Sequence, residues 1–131
     1  MTPRHRRGWG IGPGHNRESR HSPVTVSLLE PALLVLLKEQ PRHGYTLLSE
    51  LEELGISTIH PSVVYRTLRE MEGLEWVQSD LETEKTQGPP RRIYRLTPQG
   101  EEVVKSWRYE LEKNQELISK LMKSIETQER R

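Results

Sequence analysis

The chain has 131 residues, of which 32% are hydrophobic and 30% are charged, and its formal net charge is +1 at pH 7. This length fits one small domain with appendages, and a core of that size gains from association with a second chain. There is no cysteine, which excludes disulfides, thiol catalysis and thiolate metal sites. No apolar run reaches the roughly 18 residues of a membrane helix, and no secretory signal is recognisable. We therefore expect a soluble, cytoplasmic protein.

The positive charge of the chain is concentrated in two segments. Residues 1–21 contain five arginines and one glutamate, and residues 88–96 contain three arginines and no acidic residue. Binding to nucleic acid depends on a local basic face more than on the total charge. The near-neutral total therefore does not exclude a nucleic-acid partner.

The chain divides into a tail, a domain and a terminal helix. Residues 1–24 are rich in glycine, arginine, histidine and proline and show no apolar period, so we expect a disordered tail. Residues 25–97 are expected to form the ordered domain, and residues 98–128 are expected to form a C-terminal helix.

The first predicted helix covers Leu28 to Glu39. Ser27 and Glu30 have capping-box spacing, although Pro31 would serve equally well in the first turn. Leucines surround this helix on every side, and a helix that is apolar all round must be covered all round. Because so small a domain has little material for that cover, we expect a second subunit to contribute. The residues of this helix that we assign to the subunit interface are Leu29, Leu33 and Leu36.

Two shorter helices follow the first. The second is predicted from about Tyr45 to Leu54 and ends at Gly55, a residue typical of helix C-termini. Its predicted buried residues are Leu47, Leu48, Leu51 and Leu54. The third helix is predicted from Pro61 to Gly73, with apolar residues at spacings of four and three that face a core. This apolar stripe comprises Val64, Leu68 and Met71.

A β-hairpin is predicted after the third helix. Strands from Leu74 to Leu81 and from Arg91 to Leu96 are separated by a turn that contains Gly88-Pro89-Pro90. A helix with a polar outer face, followed at once by a basic hairpin, is typical of a winged helix-turn-helix. We therefore predict a mostly α fold with a small β-hairpin wing, of the α+β class, followed by a dimerisation helix.

The outer face of the third helix and the wing carry side chains suited to DNA, because hydroxyl and guanidinium groups bind phosphate oxygens and base edges. The residues that we assign to DNA binding are Ser62, Val63, Tyr65, Arg66, Arg69, Lys85, Arg91 and Arg92. If each subunit neutralises about three phosphates, a dimer neutralises about six, and the logarithmic salt slope of binding is about −5.

Each of these assignments has a structural alternative. Tyr65 would instead be a partly buried core residue, and the arginines would be solvated surface charges. His60 would either touch a base or cap the third helix. The arginines of the tail would either enter the minor groove or belong to an unstructured leader.

The C-terminal helix, predicted from Thr97 or Pro98 to about Glu126, carries a seam with a seven-residue repeat. The seam comprises Val104, Trp107, Leu111, Asn114, Ile118, Leu121 and Ile125. Asn114 is its one polar member, and a buried amide favours the register in which it finds a partner. The seam predicts a homodimer, and the alternative is a helix that folds back on its own domain. Trp107 would either line an effector pocket or simply pack.

Other chemistries find little support in the sequence. The histidines are too scattered to form a metal site, and those of the tail are not pre-arranged as ligands. No nucleophile elbow, phosphate loop or paired metal ligands occur, so we expect neither an enzyme nor a cofactor.

Several short motifs occur along the chain in a fixed order and spacing. They are His43-Gly44-Tyr45, Val64-Tyr65, Met71-Glu72-Gly73-Leu74, Gly88-Pro89-Pro90-Arg91-Arg92 and Tyr94-Arg95-Leu96-Thr97, with Gly100 closing the pattern. Together these motifs resemble the PadR family of bacterial transcriptional regulators. The resemblance covers about Leu28 to Glu126. It implies a dimeric winged-helix repressor of the short type, in which the single C-terminal helix packs with the first helix of the partner. It also implies that Tyr65 approaches the DNA backbone and that an aromatic or amphipathic compound binds at the dimer interface.

The function that these expectations predict is sequence-specific regulation of transcription. A dimer would repress from a pseudo-palindromic operator with half-sites about one helical turn apart. A small molecule or a stress signal would release it by favouring a different arrangement of the subunits. The alternative is a winged-helix module that binds proteins without reading DNA, and the basic residues Arg66, Arg69 and Arg91 argue against it.

Overall fold

The computed structural model describes residues 26–56, 59–82 and 91–131. The elements in chain order are α1 (Leu29–Glu39), β1 (Arg42–His43), α2 (Gly44–Leu54), α3 (Pro61–Gly73), β2 (Val77–Glu82), β3 (Arg91–Leu96) and α4 (Pro98–Glu129). The three strands form one antiparallel sheet in the order β1-β3-β2. The predicted fold class is confirmed: the chain is mostly helical, with a small winged-helix sheet. The predicted tail, Lys85 and the Gly88-Pro89-Pro90 turn lie outside the described residues.

Helix α1 is the centre of the core. Leu28, rather than Ser27, holds its N-cap position and makes no capping hydrogen bond through its side chain. Leu29 and Leu33, which we assigned to the subunit interface, are only 2% and 0% exposed within the single chain. That assignment is corrected, because α2, β3 and α4 of the same chain already cover this face. Leu36 is partly buried and Val35 is exposed, so only this side of α1 is open.

Arg42 joins the end of α1 to α2 from inside the protein. Its side chain is 6% exposed and forms ion pairs with Glu50 of α2 and, at 3.0 Å, with Glu39. Its guanidinium also donates to the carbonyl oxygens of Leu36 and Gln40. Carbonyl groups at a helix C-terminus lack partners within the helix, so Arg42 satisfies the end of α1.

Helix α2 ends at Gly55, whose φ of 104° is the left-handed conformation that glycine adopts most readily. Leu47 and Leu51 are buried as predicted, and Leu48 is partly buried. Leu54, which was also predicted to be buried, is 56% exposed, because the helix turns its last residue away from the core.

The wing differs from its prediction at one end. Strand β2 begins at Val77 rather than at Leu74, because Leu74 is the C-cap of α3 and Glu75 adopts a φ of 68° in the turn that follows. Strand β3 covers Arg91–Leu96 as predicted. The third strand, β1, pairs Arg42 with Tyr94 and His43 with Ile93, and nothing in a two-residue strand produces a recognisable period.

Helix α4 is 32 residues long and therefore extends for about 48 Å. Its N-cap is Thr97, whose hydroxyl oxygen accepts a hydrogen bond from the backbone N–H of Gly100 at 3.0 Å. The first part of α4 packs on the domain through Val103, Val104 and Trp107. From residue 112 to residue 129 every residue is exposed, so the second part does not fold back on its own domain. No helix within the described ranges is long and apolar enough to cross a membrane.

Candidate nucleic-acid interface

The start of helix α3 is held by a side-chain cap. His60 occupies the N-cap position, and its Nδ1 accepts a hydrogen bond from the backbone N–H of Ser62 at 3.1 Å. The hydroxyl of Ser62 lies 2.9 Å from the same ring nitrogen. Pro61 follows the cap, where its fixed φ suits the first turn of a helix. Of the two roles considered for His60, the structure shows capping.

Helix α3 presents one face to the core and the opposite face to solvent. The predicted stripe is confirmed, since Val64, Leu68 and Met71 are no more than 1% exposed. Ser62, Arg66 and Arg69 are exposed and, at spacings of four and three, lie side by side on the outer face. Within the described ranges, neither arginine forms an ion pair. Both guanidinium groups are therefore available to an anionic partner.

Tyr65 lies at the border between these faces and packs against the start of α2. A Cβ atom at Gly44 would lie 2.7 Å from Cε1 of Tyr65 and 3.1 Å from its hydroxyl oxygen. Any larger residue at position 44 would require the ring of Tyr65 to shift. The ring of Tyr65 is partly buried, as is the neighbouring Val63, so the alternative of a packing role for Tyr65 holds for the ring. Contact of its hydroxyl with DNA stays a prediction.

The two wing arginines lie on opposite faces of the sheet, because consecutive side chains of a strand alternate. Nη1 of Arg92 donates to the hydroxyl of Ser79 at 2.9 Å, and this hydroxyl donates to Glu72 of α3 at 2.8 Å. Arg92 is thereby connected to the C-terminal turn of α3. Both Arg91 and Arg92 are exposed.

Arg91 instead contacts the start of α2. Its Nη1 donates to the hydroxyl of Tyr45 at 3.0 Å, and its guanidinium carbon lies 5.2 Å from the centre of that ring. His43 stacks on Tyr45 and pairs with Glu82 of the wing at 2.8 Å. We did not predict a role for His43 or Tyr45, although the His43-Gly44-Tyr45 motif marked the segment.

Tyr94 of β3 is 5% exposed, and its pKa is affected by charges on α3 and on the wing. Burial raises the pKa of Tyr94 above its usual value, and the carboxylate of Glu72 adds to the rise. Arg92 of the wing and Arg69 of α3 both act in the opposite direction, because positive charge favours the phenolate. The electrostatic environment of Tyr94 therefore includes a cation of α3 and a cation of the wing.

The predicted dimerisation seam of α4 divides into two parts. Val104 and Trp107 are partly buried against their own domain, and Leu111 is partly buried. Asn114, Ile118, Leu121 and Ile125 are exposed, and the three apolar residues among them are between 49% and 54% exposed. Trp107, the candidate for an effector pocket, lies in the packed part close to where the exposed part begins.

A groove lies between α2 and α3. It is lined by Tyr45, Leu48, Ser49, Leu51, Glu52, Ile56, Ile59, Pro61 and Val64. This groove does not include Trp107. Its position beside Tyr45 places it next to the helix-turn-helix surface rather than at the α4 seam.

The fold is similar to several solved structures. The conserved protein TM0937, described as a potential transcriptional factor, is 30% identical at a TM-score of 0.66, over 86% of this chain and 99% of that one. A PadR family transcriptional regulator from Eggerthella lenta is 25% identical at a TM-score of 0.66, over 76% and 85%. The protein TA0346 from Thermoplasma acidophilum is 22% identical at a TM-score of 0.69, over 77% and 96%, and supports the fold alone.

Comparison of the sequence with family models gives the same result as the fold. No curated protein matches the sequence. The model of the transcriptional regulator PadR-like family matches residues 33–106, which is more than half of the chain. The chain belongs to the PadR-like family of transcriptional regulators.

Proposed function

We propose that this protein is a homodimeric, sequence-specific DNA-binding repressor of transcription that acts in the cytoplasm. The observation that carries the proposal is the outer face of α3, where Arg66 and Arg69 are exposed and form no ion pair with any described residue. The opposite face of the helix is locked into the core, so this basic face points outward in a defined direction. A rigid helix that carries exposed guanidinium groups suits the major groove, where arginine binds guanine.

The proposed DNA surface extends from α3 to the wing. Ser62, Val63 and Tyr65 lie at or beside the start of the exposed face, and Arg91 and Arg92 begin β3, at the end of the wing strands next to residues 83–90. Lys85 belongs to the same proposed surface by its position in the sequence. Helix α3 supplies the contacts to bases, and the wing supplies contacts to phosphates, which position the protein without reading sequence.

The proposed dimer forms through α4. Its exposed part is about 27 Å long and carries apolar residues at 49% to 58% exposure. These residues are Leu117, Ile118, Leu121, Met122 and Ile125. A helix with so long an uncovered apolar stripe is typical of helix pairing. The open side of α1 at Leu36, together with Val104, Trp107 and Leu111, would border the same interface.

The proposed signal is an aromatic or amphipathic small molecule that binds near Trp107. The indole is only partly buried in the single chain, so a second α4 packed alongside would enclose it against another apolar wall. An aromatic ligand would then stack on the indole. Such a ligand releases DNA only if it binds better to the arrangement of subunits that fits the operator poorly.

Binding to DNA is best tested by fluorescence anisotropy with a duplex from upstream of the protein's own gene. We expect a logarithmic salt slope of about −5, and a loss of about 1–3 kcal/mol of binding free energy for Arg66→Ala if that side chain reads a base. Arg91→Ala is expected to make the salt slope less steep by about 2, because the dimer loses one phosphate contact in each subunit.

The matched control is Lys105→Ala, which removes an exposed cation of α4 that pairs with Glu102. This variant is expected to bind like the wild type. Unchanged binding by both arginine variants would show that the surface is assigned wrongly. Absence of any salt-dependent binding by the wild type would favour a protein-binding module instead.

A further inference from the structure

Both arms of the wing are attached to the segment that opens α2. Glu82 of β2 and Arg91 of β3 are direct partners in the sheet register. Glu82 pairs with Nε2 of His43 at 2.8 Å, and Arg91 donates to the hydroxyl of Tyr45 at 3.0 Å. Two residues that are separated by a single glycine therefore hold opposite arms of the hairpin.

The contact of Arg91 with Tyr45 has two components. The hydroxyl accepts from Nη1, and the guanidinium carbon lies 5.2 Å from the ring centre, within the range of a cation–π interaction. The imidazole of His43 stacks on the ring, with centroids 5.6 Å apart and planes 12° apart. The ring of Tyr45 thus lies between His43 and Arg91, which restricts how far it can rotate.

Such a contact leaves most of the guanidinium free. Arginine has five N–H donors, and the single hydroxyl of Tyr45 engages the group at Nη1. Tyr45 is itself 53% exposed, so the pair lies at the surface and not in the core. An arginine held in this way retains donors for a phosphate while it loses part of its rotational freedom before DNA arrives.

We propose that Tyr45 is a positioning residue for Arg91: its hydroxyl and ring hold the guanidinium at the start of β3 in the orientation that meets a DNA phosphate. This role rests on the proposed function, since it requires that Arg91 bind DNA. Tyr45 acts through Arg91 and does not bind the phosphate itself. Ordering one long side chain in advance improves affinity by about three- to tenfold.

The test is a double-mutant cycle on DNA affinity with Tyr45→Phe, Arg91→Ala and the double variant. Tyr45→Phe removes only the hydroxyl. Because Tyr45 is exposed, we expect the variant to fold normally, and thermal melting checks this. We expect Tyr45→Phe to weaken binding of the upstream duplex by about three- to tenfold for each subunit of the dimer, in line with the ordering of one side chain per subunit. The same substitution is expected to have no effect once Arg91 is alanine.

Two controls separate positioning from a general structural effect. Tyr109→Phe alters a 60% exposed tyrosine of α4 that contacts Lys113, and it should leave affinity unchanged. Combined with Arg66→Ala, Tyr45→Phe should remain additive, because no hydrogen bond, ion pair or ring contact within the described ranges joins Tyr45 to Arg66.

Each remaining outcome overturns the proposal. If Tyr45→Phe weakens binding equally with and without Arg91, the hydroxyl contacts DNA directly or supports the fold, and it does not position Arg91. If Tyr45→Phe has no effect on a wild type that binds DNA, the contact plays no part in binding. If the wild type itself shows no salt-dependent binding, the proposed function fails first and the role of Tyr45 fails with it.

Discussion

Gly100 lies directly against the backbone of Trp76: a Cβ atom at Gly100 would stand 2.2 Å from the carbonyl oxygen of Trp76. That oxygen accepts a hydrogen bond from the N–H of Thr97 at 3.0 Å, so it cannot easily move away. Alanine is a better helix former than glycine by about 1 kcal/mol, and propensity alone predicts that Gly100→Ala stabilises α4. The contact predicts the opposite sign, with a loss of about 1–3 kcal/mol in unfolding free energy from overpacking.

Urea unfolding of Gly100→Ala and Gly73→Ala would decide between these effects. Gly73 is the last residue of α3, and a Cβ atom there meets nothing within 4 Å. Gly73→Ala is therefore expected to be neutral or to raise stability by up to about 1 kcal/mol. Equal changes in unfolding free energy for the two variants would show that the carbonyl oxygen of Trp76 can move away from a side chain at position 100.

Glu50→Ala is expected to destabilise the domain because it removes a partner of the buried Arg42. Among the described residues, the buried guanidinium would lose one of its two carboxylate partners and keep only Glu39 and two carbonyl oxygens, and we expect a loss of about 3 kcal/mol. The value lies at the lower end of the usual range because the side chain of Glu50 is 27% exposed. Glu53→Ala, at an exposed position of the same helix, should change the unfolding free energy by less than about 0.5 kcal/mol. Similar losses in both variants would contradict a special role for Arg42.

Tyr94 is expected to make stability fall in alkaline solution. Its folded-state pKa is raised by burial. The contribution of Tyr94 to the free energy of unfolding is therefore fully present below the unfolded pKa of about 10. It is lost as the pH rises from that value through the folded pKa, since the unfolded state releases its proton first. Tyr94→Phe should have a flatter dependence of unfolding free energy on pH between about 9 and 11. Tyr109→Phe, which changes an exposed tyrosine, serves as the control. If the unfolding free energy of Tyr94→Phe depends on pH as steeply as that of Tyr109→Phe, the pKa of Tyr94 is not raised.

Ile118→Glu is expected to convert the protein to a monomer. Ile118 is 49% exposed on the apolar stripe of α4, and a carboxylate there would be buried against the partner helix. Sedimentation velocity at micromolar concentration should show a dimer for the wild type and a single chain for the variant. Lys120→Glu changes the charge on the same helix away from the predicted seam and should leave the dimer intact. Dimers in both variants would exclude this stripe as the interface.

Local patterns were sufficient to predict the helices and the exposed face of α3. The stripe of Val64, Leu68 and Met71 follows from the helical period, because a period relates neighbours within one element. The position of Arg66 and Arg69 on the opposite side follows from the same geometry. The start of the wing was predicted too early, because Leu74 has the apolar character of a strand residue but follows directly on α3.

Features that depend on contacts between distant segments could not be predicted. The sequence shows that α1 needs cover on every side, but it does not show that Leu29 and Leu33 receive theirs from their own chain. Arg42 looks like a surface residue until the fold brings Glu50 beside it. Likewise, the contact between Tyr45 and Arg91 depends on how the wing lies against α2.

The central claim is that two copies of this chain, joined through α4, place two α3 helices on one operator. The most direct measurement is the number of chains bound to a fluorescent operator duplex, determined by sedimentation velocity at micromolar protein. We predict two chains per duplex and a complex that dissociates as salt is raised. A complex with one chain per duplex, or no complex at any salt concentration, would contradict the claim.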